Sequence, residues 1–402
     1  MKILMVNKFL YPNGGSETYM TELGAHLCSL GHEVEYFGME HEGNCVGNSA
    51  ESYTSDMDFH TASAVDKIKM SFKTVYSKEA RVKIRAVLES FRPDVVHLNN
   101  FNYQLTPSII LEIRKWEKEN GGRVRIIYTA HDYQLVCPNH MLKNPNTGEI
   151  CENCLDSGFL SCTKGRCIHG SALKSVFGSA EAIYWNSRNI YSQLDRIICC
   201  SRFMNDMLSR RDVFKGKCIT LHNFTKKPKL PEGIEKKPYV LYFGRLSQEK
   251  GVKTLIESAK ALPEIHFVFA GTGELEEEIG ALPNAEYVGF RTGEELHRLI
   301  AEASLSVYPS EWYENCPYSV MESISLATPV TASEIGGIPE LIDDGITGVL
   351  VPPCDSEKLA ESIKNLFENS ERLLQMSAQC LKKEFISVEK YTEKYFEILE
   401  EI

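Results

Sequence analysis

Two kinds of hydrophobic pattern alternate along this chain. Short apolar runs are separated by longer segments in which apolar residues recur every three or four positions. A continuously apolar run predicts a strand covered on both faces, and the longer spacing predicts a helix. The predicted strands lie in KILMVN, EVEYFG, DVVHLNN, RIIYTAHD, RIICCS and CITLHNF in the first half, and in YVLYFGR, HFVFAGTG, AEYVGF, LSVYPS and TGVLVPP in the second.

The segment between the first two predicted strands shows the three- and four-residue spacing of a helix. Tyr19, Leu23, Leu27 and Leu30 fall on one face between the first two strands, and Gly31 ends the pattern. Strands that alternate with helices predict parallel sheets joined by right-handed crossovers. The chain is therefore expected to be an α/β protein with doubly wound sheets.

The length of 402 residues predicts two domains. The segment TKKPKLPEGIEKKP, residues 225–238, is rich in Lys and Pro and predicts a linker. We expect one domain over residues 1–224, a second over 239–383, and a C-terminal helix in 384–402 that packs back toward the first domain. Because ligands bind beyond the carboxyl ends of parallel strands, two facing domains imply a cleft.

Charge and composition exclude some classes of protein. Residues 1–225 hold 26 Lys and Arg against 24 Asp and Glu, whereas residues 226–402 hold 18 against 31, which argues against nucleic-acid binding. No apolar run approaches the roughly 20 residues of a membrane span, and the apolar start of the chain is too short for a signal peptide. The sequence therefore predicts a cytoplasmic protein whose 13 cysteines are reduced.

Two loops that follow predicted strands carry groups suited to phosphate. Gly14 and Gly15 precede a helix that begins near Ser16, where backbone N–H groups can approach an anion. Arg245 and Lys250, in YFGRLSQEKGVKTL, could neutralise different oxygens of a diphosphate. Taken alone, the first loop could be only a turn and the second a pair of solvated charges.

Two further loops carry a histidine and a pair of carboxylates. His131 ends a buried strand, where an imidazole can reach a ligand or serve the fold. In SEWYENCPYSVMES, Glu314 lies in a loop, Pro317 is predicted as the first residue of a helix, and Glu322 falls in its second turn. The two carboxylates are far enough apart to hold opposite ends of one ligand.

Together these motifs resemble the retaining GT-B glycosyltransferases, family 4 in particular. The resemblance runs through the whole chain in order: the glycine turn, His-Asp after a strand, GRLSQEKG, the two glutamates with seven residues between them, and IGGIPELIDDGITGVLVPP. It implies two Rossmann-like domains facing across a cleft. It also implies transfer of a sugar from a nucleotide-diphosphate donor with retention of anomeric configuration.

The resemblance assigns donor-binding roles to four residues of the second half. Glu322 is expected to accept hydrogen bonds from the ribose hydroxyls. Glu314 is expected to hold hydroxyls of the donor sugar, near the positive charge that grows at the anomeric carbon. Arg245 and Lys250 should stabilise the departing diphosphate. The expected catalytic residues are Glu314, Arg245, Lys250 and His131.

In the first half, Gly14 and Gly15 are expected to approach the donor phosphates and His131 to contact the transferred sugar. Cys316-Pro317 stands where members of the family often have Phe-Gly, and Pro317 has no N–H to offer a phosphate. The resemblance implies no cofactor, no catalytic metal and no protein nucleophile.

The resemblance also implies a saccharide or lipid-linked acceptor and a place in bacterial cell-surface polysaccharide or glycolipid synthesis. Two alternatives stay open: a GT-B epimerase or hydrolase that acts on sugar nucleotides, and a catalytically silent sugar-nucleotide-binding protein. Transfer to an acceptor distinguishes the first, and turnover abolished by Lys250→Ala excludes the second.

A cysteine-rich loop could hold structural zinc. Five thiols fall within residues 137–167, which contain little apolar material to order the loop. The preferred ligand set leaves Cys162 spare and consists of Cys137, Cys151, Cys154 and Cys167. Buried free thiols and reversible disulfides are the alternatives.

A basic segment could contact an anionic membrane at the inner face of the plasma membrane. Residues 66–92 hold eight Lys and Arg against three Asp and Glu, including Lys67, Lys69 and Lys73. Apolar residues interleave with these charges: Ile68, Phe72, Val75, Val82, Ile84 and Val87. The alternative is a surface helix whose apolar face packs on the first sheet.

Overall fold

The computed structural model describes residues 1–56, 73–226 and 228–402. The chain divides into two compact units, the first formed by Met1–Asn223 with Val388–Ile402 and the second by Phe224–Ser387. Each unit contains one six-stranded sheet with helices between its strands.

The first unit alternates strands and α-helices over the described part of Met1–Asn223. They are β1 (Lys2–Val6), α1 (Gly15–Ser29), β2 (Glu33–Phe37), α2 (Lys78–Phe91), β3 (Val95–Leu98), α3 (Ser108–Asn120), β4 (Arg125–Ala130), α4 (Asn153–Asp156), α5 (Leu160–Lys164), α6 (Ala172–Ser187), β5 (Arg196–Cys199), α7 (Arg202–Ser209) and β6 (Cys218–Thr220).

The second unit repeats the alternation of strand and helix. Its elements are β7 (Lys237–Phe243), α8 (Val252–Ala261), β8 (His266–Ala270), α9 (Glu276–Gly280), β9 (Ala285–Gly289), α10 (Gly293–Glu302), β10 (Ala303–Tyr308), α11 (Tyr318–Ser325), β11 (Val330–Ser333), β12 (Gly348–Val351), α12 (Ser356–Phe367) and α13 (Ser370–Cys380). The last helix, α14 (Val388–Glu400), belongs to the first unit, where the hydroxyls of Tyr391 and Tyr19 lie 2.7 Å apart.

Both sheets are parallel, and both reverse their winding direction once. The strand order is β2-β1-β3-β4-β5-β6 in the first sheet and β12-β11-β10-β7-β8-β9 in the second. The reversal lies between β1 and β3 in the first and between β7 and β10 in the second, and open α/β sheets bind ligands at such switch points. The predicted α/β class with doubly wound parallel sheets is confirmed.

The second sheet shows why its strands read as continuously apolar. Along β7, Tyr239 and Leu241 enter a core cluster that includes Ile300 of α10. Val240 and Tyr242 point the other way, into a cluster with residues of α8 and α12. Because helices cover both faces, every position of the strand interior is apolar.

Two details of the structure differ from the sequence predictions. Strand β11 was not predicted, because its sequence VTAS is too polar to mark a strand, yet it is fully buried between β10 and β12. Leu30 was predicted on the buried face of α1, but it is the residue that ends the helix and is 53% exposed.

The basic segment 66–92 lies partly outside the described residues, which resume at Lys73. In its described part, Ile84 and Val87 are fully buried, and Arg81 forms an ion pair with Glu112 at 2.5 Å. These contacts turn the apolar side of α2 inward, although Val82 is 70% exposed. Across the described ranges, no helix is long and apolar enough to cross a bilayer.

The cysteine-rich loop is ordered by apolar packing. Cys154, Cys162 and Cys167 are buried in a small cluster with Phe159 and Ala182. In the part of the chain that the structure describes, no group of three or more His, Cys, Asp or Glu side chains is placed to hold a metal ion. The predicted zinc site is therefore not supported, because buried apolar contacts supply the order for which zinc was invoked.

Candidate active site

The polar residues of the second unit converge at the switch point of its sheet. β7 and β10 are hydrogen-bonded neighbours, and the loops that follow them both leave from the carboxyl edge. The loop after β7 carries Arg245 and Lys250, and the loop after β10 carries Glu314. The structure therefore brings together residues that are more than sixty positions apart in sequence.

An ion pair lies at the centre of this site. The Lys250 Nζ atom donates to the Glu314 Oε1 atom at 2.5 Å and to the hydroxyl of Tyr308 at 3.2 Å. Trp312 Nε1 and Ser310 Oγ donate to the same carboxylate oxygen. The Lys250 ammonium also lies 5.3 Å from the centre of the Trp312 ring, a cation–π distance.

The surroundings keep the Glu314 carboxyl ionised. Glu314 is only 7% exposed, and burial alone would raise the pKa of its carboxyl. The charge of Lys250 and hydrogen bonds from Lys250, Trp312 and Tyr308 outweigh that effect and hold the pKa below its ordinary value. The site thus presents a buried carboxylate and a partly buried ammonium that neutralise each other.

Two close backbone approaches hold the Glu314 loop in place. Gly251 has φ +72°, and a Cβ there would lie 1.7 Å from the Pro309 carbonyl oxygen. Gly336, with φ +61°, packs against the backbone of Glu314, and Gly337 N donates to the Glu314 carbonyl oxygen at 2.7 Å. These positions require glycine, since any side chain would displace the loop.

The other two donor-binding candidates of this unit are more accessible. Arg245 has a side chain 66% exposed and makes a long ion pair, 3.6 Å, with Glu249. Glu322 is half-buried in the second turn of α11.

Pro317 is the residue that caps this helix, not its first residue, so the first amides of α11 belong to Tyr318 and Ser319. These amides take no part in the helix's own hydrogen bonds to residues four positions before them.

In the first unit, the glycine turn follows β1 at the switch point of its sheet. Gly14 and Gly15 are exposed, and α1 begins at Gly15. Behind them, Glu17 is 3% exposed and accepts hydrogen bonds from Asn7 Nδ2 at 2.8 Å and from Ser16 Oγ at 2.9 Å. A buried carboxylate under the predicted phosphate-binding turn was not anticipated.

His131 lies at the carboxyl edge of the same sheet. It follows β4, and its Nε2 atom lies 2.9 Å from Oδ1 of Asn99, the residue after the neighbouring strand β3. Its ring also packs edge-on against Tyr19. Burial lowers the pKa of His131 to about 4, against an opposing effect of Asp132, so the imidazole is neutral at pH 7.

Four members of these networks were not identified from the sequence. Asn7 and Asn99 each follow a predicted strand directly, and that position was the available signal. Trp312 lies within the quoted SEWYENCPYSVMES, and Glu17 lies two residues after the glycine turn, but their contacts depend on side-chain directions that a sequence pattern does not contain.

Two family models match the chain. The model described as "Glycosyltransferase Family 4" matches residues 13–226, and "Glycosyl transferases group 1" matches residues 224–383. The first covers more than half of the chain, and together they cover nearly all of it.

Curated relatives match mainly over shorter segments. The alpha-D-kanosaminyltransferase of Streptomyces kanamyceticus is 35% identical over 35% of this chain and 39% of its own length. The amylovoran biosynthesis glycosyltransferase AmsK of Erwinia amylovora is 30% identical over 34% of this chain and 38% of its own length. The matched segments thus span less than half of these relatives.

A solved structure matches over the full chain. Anabaena HepE in complex with UDP superposes with a TM-score of 0.69 at 15% identity, covering 100% of both chains. That likeness shows a shared fold. With the two family models, it shows that this chain belongs to the family 4 glycosyltransferases and is a glycosyltransferase of the GT-B type.

Proposed function

We propose that this glycosyltransferase moves a sugar from a nucleotide-diphosphate donor to a hydroxyl of a saccharide or lipid-linked acceptor, with retention of anomeric configuration. The observation that carries the proposal is the ion pair between the partly buried Lys250 and the buried Glu314 at the switch point of the second sheet. In the reaction, the bond from the anomeric carbon to the diphosphate oxygen breaks and a bond to the acceptor oxygen forms on the same face. The acceptor proton passes to the departing diphosphate.

Lys250 and Arg245 stabilise the charge that develops on the leaving diphosphate. The Lys250 ammonium is fixed by three contacts, with Glu314, Tyr308 and the Trp312 ring, so it needs little reorganisation during the reaction. Arg245 is exposed and its nearest carboxylate is 3.6 Å away, so its guanidinium can turn to a second phosphate.

Glu314 and Glu322 hold the two ends of the donor. The ionised Glu314 carboxylate accepts hydrogen bonds from the hydroxyls of the transferred sugar and favours the positive charge at its anomeric carbon. Glu322, eight residues further on in α11, accepts hydrogen bonds from the ribose hydroxyls. The two glutamates then bind one sugar nucleotide at two places.

The first unit contributes uncharged groups. Gly14 and Gly15 let backbone N–H groups approach the phosphates, although the Glu17 carboxylate nearby limits how deeply an anion can enter. The neutral His131, held by Asn99, hydrogen-bonds a hydroxyl of the transferred sugar. A neutral imidazole adds no positive charge next to the anomeric carbon.

The comparisons favour one donor class and one kind of pathway. HepE was solved with UDP, which supports a uridine diphosphate sugar as donor. AmsK acts in amylovoran biosynthesis, which supports a role in bacterial cell-surface polysaccharide synthesis. Such a donor is used in the cytoplasm, where we place the protein.

Glu314→Gln tests the role of the buried carboxylate. The amide keeps the size of the side chain but removes the charge that favours the transition state, so we expect turnover to fall about 100-fold or more. Nucleotide affinity should stay within several-fold, because the carboxylate contacts the sugar. Steady-state transfer assays and calorimetric titration with UDP measure the two quantities.

Two variants complete this test. Glu311→Gln alters a carboxylate of the same loop, bonded to Thr254 Oγ1 at 2.7 Å, and should retain near-normal turnover. Glu322→Ala should chiefly weaken donor binding. Near-normal turnover of Glu314→Gln would refute the assignment, and release of a 2-epimer or free sugar without acceptor transfer would favour an epimerase or hydrolase.

A further inference from the structure

Three aromatic rings pack together at the carboxyl end of β1, in a part of the first unit to which the proposed reaction gives no role. Phe9 and Tyr11 follow β1, and His41 follows the neighbouring strand β2. The Tyr11 and His41 rings are stacked, with centroids 4.0 Å apart and planes 25° apart. The Phe9 ring lies tilted against Tyr11, with 5.3 Å between centroids. We call these three side chains the aromatic stack.

The aromatic stack is held in place but is not buried. The Cys45 amide donates to the Leu10 carbonyl oxygen at 3.0 Å, which joins the loop after β2 to the loop after β1. The Gly43 amide donates to His41 Nδ1 at 3.0 Å. Two rings of the stack are half-buried, and the His41 ring is exposed. Ordered aromatic side chains that stay accessible at the ligand-binding edge of a parallel sheet indicate a ligand.

A buried carboxylate lies in the same region with one oxygen left over. The Glu17 Oε1 atom accepts hydrogen bonds from Asn7 Nδ2 and Ser16 Oγ. Among the described residues, no hydrogen-bond donor reaches the Glu17 Oε2 atom. A Cβ at Gly14 would lie 3.4 Å from that oxygen, and Gly14 is exposed. The missing side chain at Gly14 therefore leaves space beside Oε2.

The usual structural role of such a glutamate does not account for this arrangement. Glu17 is the third residue of α1, a position from which a carboxylate often accepts from the amide of the capping residue, here Gly14. In the described part of the chain, Glu17 makes no such bond, because both of its hydrogen bonds end on Oε1. The helix dipole favours a negative charge here but does not require an oxygen without a donor.

The charges near the aromatic stack disfavour an anionic ligand. Burial raises the pKa of Tyr11, and the negative charges of Asp56 and Glu17 raise it further, so both carboxylates act on this ring. Lys8 adds a positive charge, with its Nζ atom 5.1 Å from the centre of the Phe9 ring. A hydroxyl can donate to the Glu17 carboxylate, whereas a phosphate in contact with it would be repelled.

We propose that the aromatic stack and Glu17 bind an uncharged pyranose ring of the acceptor. The apolar face of the ring packs on the stack, and a hydroxyl of the ring donates a hydrogen bond to Glu17 Oε2. The donor is held by Glu314, Glu322 and His131 in the proposed reaction, so it does not need this site. The group that receives the new sugar is then itself a sugar, free or lipid-linked, and not a bare lipid phosphate.

This inference rests on the proposed function, because it names the acceptor of the same transfer. Binding of a pyranoside can nevertheless be measured without a donor, and binding of UDP without an acceptor. A wild-type protein that does not bind UDP would contradict the proposed function. A wild-type protein that binds UDP and no pyranoside would contradict this inference alone.

Saturation-transfer NMR of the full chain tests the proposal. The probes are the methyl pyranosides of glucose, galactose, mannose and N-acetylglucosamine, with and without saturating UDP, and at least one should bind. Tyr11→Ala should weaken its binding about tenfold or more, because the sugar loses its aromatic partner. Tyr11→Phe should stay within about threefold of wild type, because packing on the ring does not need the hydroxyl. Calorimetric titration with UDP should show unchanged affinity in both variants.

Glu17→Gln tests the charge of the site. Its amide oxygen can still accept from Asn7 and Ser16, but the second group becomes a donor. Binding of the pyranoside should weaken about tenfold, as for loss of a hydrogen bond to a charged group. Binding of glucose 6-phosphate should become tighter, because the repulsion is removed. Equal weakening of both probes would reduce Glu17 to a structural role and contradict the proposal.

Two variants serve as matched controls. Tyr184→Ala changes a half-buried tyrosine of α6 that packs edge-on against Trp185. Glu33→Gln changes an exposed glutamate at the start of β2 that pairs with Lys2. Both variants should bind UDP and the pyranosides as the wild type does.

Three further outcomes would overturn the proposal. The first is a wild type that binds UDP but none of the pyranosides. The second is equal pyranoside binding by wild type and Tyr11→Ala. The third is a large loss of UDP affinity in Tyr11→Ala or Glu17→Gln, which would assign these side chains to the donor.

Discussion

The two sheets present different chemistry at their carboxyl edges. In the second sheet, the loops at the switch point join the partly buried ammonium of Lys250 to the buried carboxylate of Glu314. In the first sheet, the residues at the corresponding edge are an imidazole and an amide, His131 and Asn99, and burial keeps the imidazole neutral. The same topology thus supports one charged network and one uncharged network.

The difference follows from what each edge is proposed to bind. A departing diphosphate carries charge that a cation must stabilise, and Lys250 is fixed in place for it by Glu314. A sugar hydroxyl needs only a hydrogen-bond partner, which a neutral histidine supplies. A charge added to the His131–Asn99 network should therefore impair turnover by opposing the charge at the sugar. A charge removed from the Lys250–Glu314 network should impair it by leaving the diphosphate without its cation.

Lys250→Ala should have the largest effect on this comparison. It removes the cation from the diphosphate and leaves the Glu314 carboxyl, 7% exposed, without its counter-charge. We expect turnover to fall about 1,000-fold, in the range for loss of a group that stabilises developing charge. Steady-state transfer assays measure it.

Lys253→Ala is the matched control, because Lys253 is an exposed lysine of α8 three residues away. It should keep turnover within about twofold, as for a solvated surface charge. If Lys250→Ala kept turnover within tenfold of wild type, the ion pair would be structural and the contrast between the two sheets would have no catalytic meaning.

Asn99→Asp should convert the uncharged network into a charged one. A carboxylate in place of the amide, 2.9 Å from His131 Nε2, favours the imidazolium and raises the pKa of His131 above about 4. A protonated His131 would oppose the positive charge at the anomeric carbon, so we expect kcat/KM at pH 7 to fall roughly 10- to 30-fold. Activity should recover as the pH is raised.

The pH–rate profile, together with an NMR titration of the His131 ring, separates this effect from simple damage. Asn100→Asp is the control, since Asn100 Nδ2 bonds Ser16 Oγ at 3.1 Å and lies one residue from Asn99. A pH-independent loss of activity in Asn99→Asp would show that the neutrality of His131 is irrelevant.

Strand periodicity was sufficient to predict the α/β class and most of the strands. Runs such as YVLYFGR are apolar throughout because helices cover both faces of the sheet. β11 was not predicted because its position between β10 and β12 is determined by the strand order, and no local sequence pattern contains the strand order. Leu30 was misassigned because α1 ends at Ser29, one residue before it.

The candidate site was predictable where a loop follows a strand, and less so where contacts join distant segments. Glu314 and Lys250 were each singled out, but that they form a pair became evident only from the adjacency of β7 and β10. Asn99 and His131 meet because β3 and β4 are neighbours. The zinc prediction is not supported, for a related reason: the apolar partners of the cysteines, Phe159 and Ala182, are brought to the loop by the fold.

The smallest expected effect concerns stability and again separates the two units. His97, in β3, is fully buried, its Nε2 atom lies 2.7 Å from Thr129 Oγ1, and burial and the nearby His131 lower its pKa to about 3. Between that value and the ordinary 6.5, the unfolded chain binds a proton that the folded chain does not. Stability therefore falls as the pH falls below 6.5. Glu314 in the second unit has a lowered pKa, so its contribution is lost only below its ordinary value of 4.5.

His97→Gln should remove this penalty. The free energy of unfolding of the variant minus that of the wild type should therefore be about 1.4 kcal/mol larger at pH 5.5 than at pH 7.5. Glu181 acts in the opposite direction in the first unit, because its pKa of about 8 destabilises the fold as the pH rises, but it contributes equally to both proteins. Urea denaturation at the two pH values measures the difference. His266→Gln, which alters an exposed histidine of the second unit, is the control and should show no such change. An equal pH dependence of the free energy of unfolding for His97→Gln and wild type would mean that His97 is hydrated in solution. A buried neutral histidine in β3 would then no longer support the contrast between the uncharged network of the first sheet and the charged network of the second.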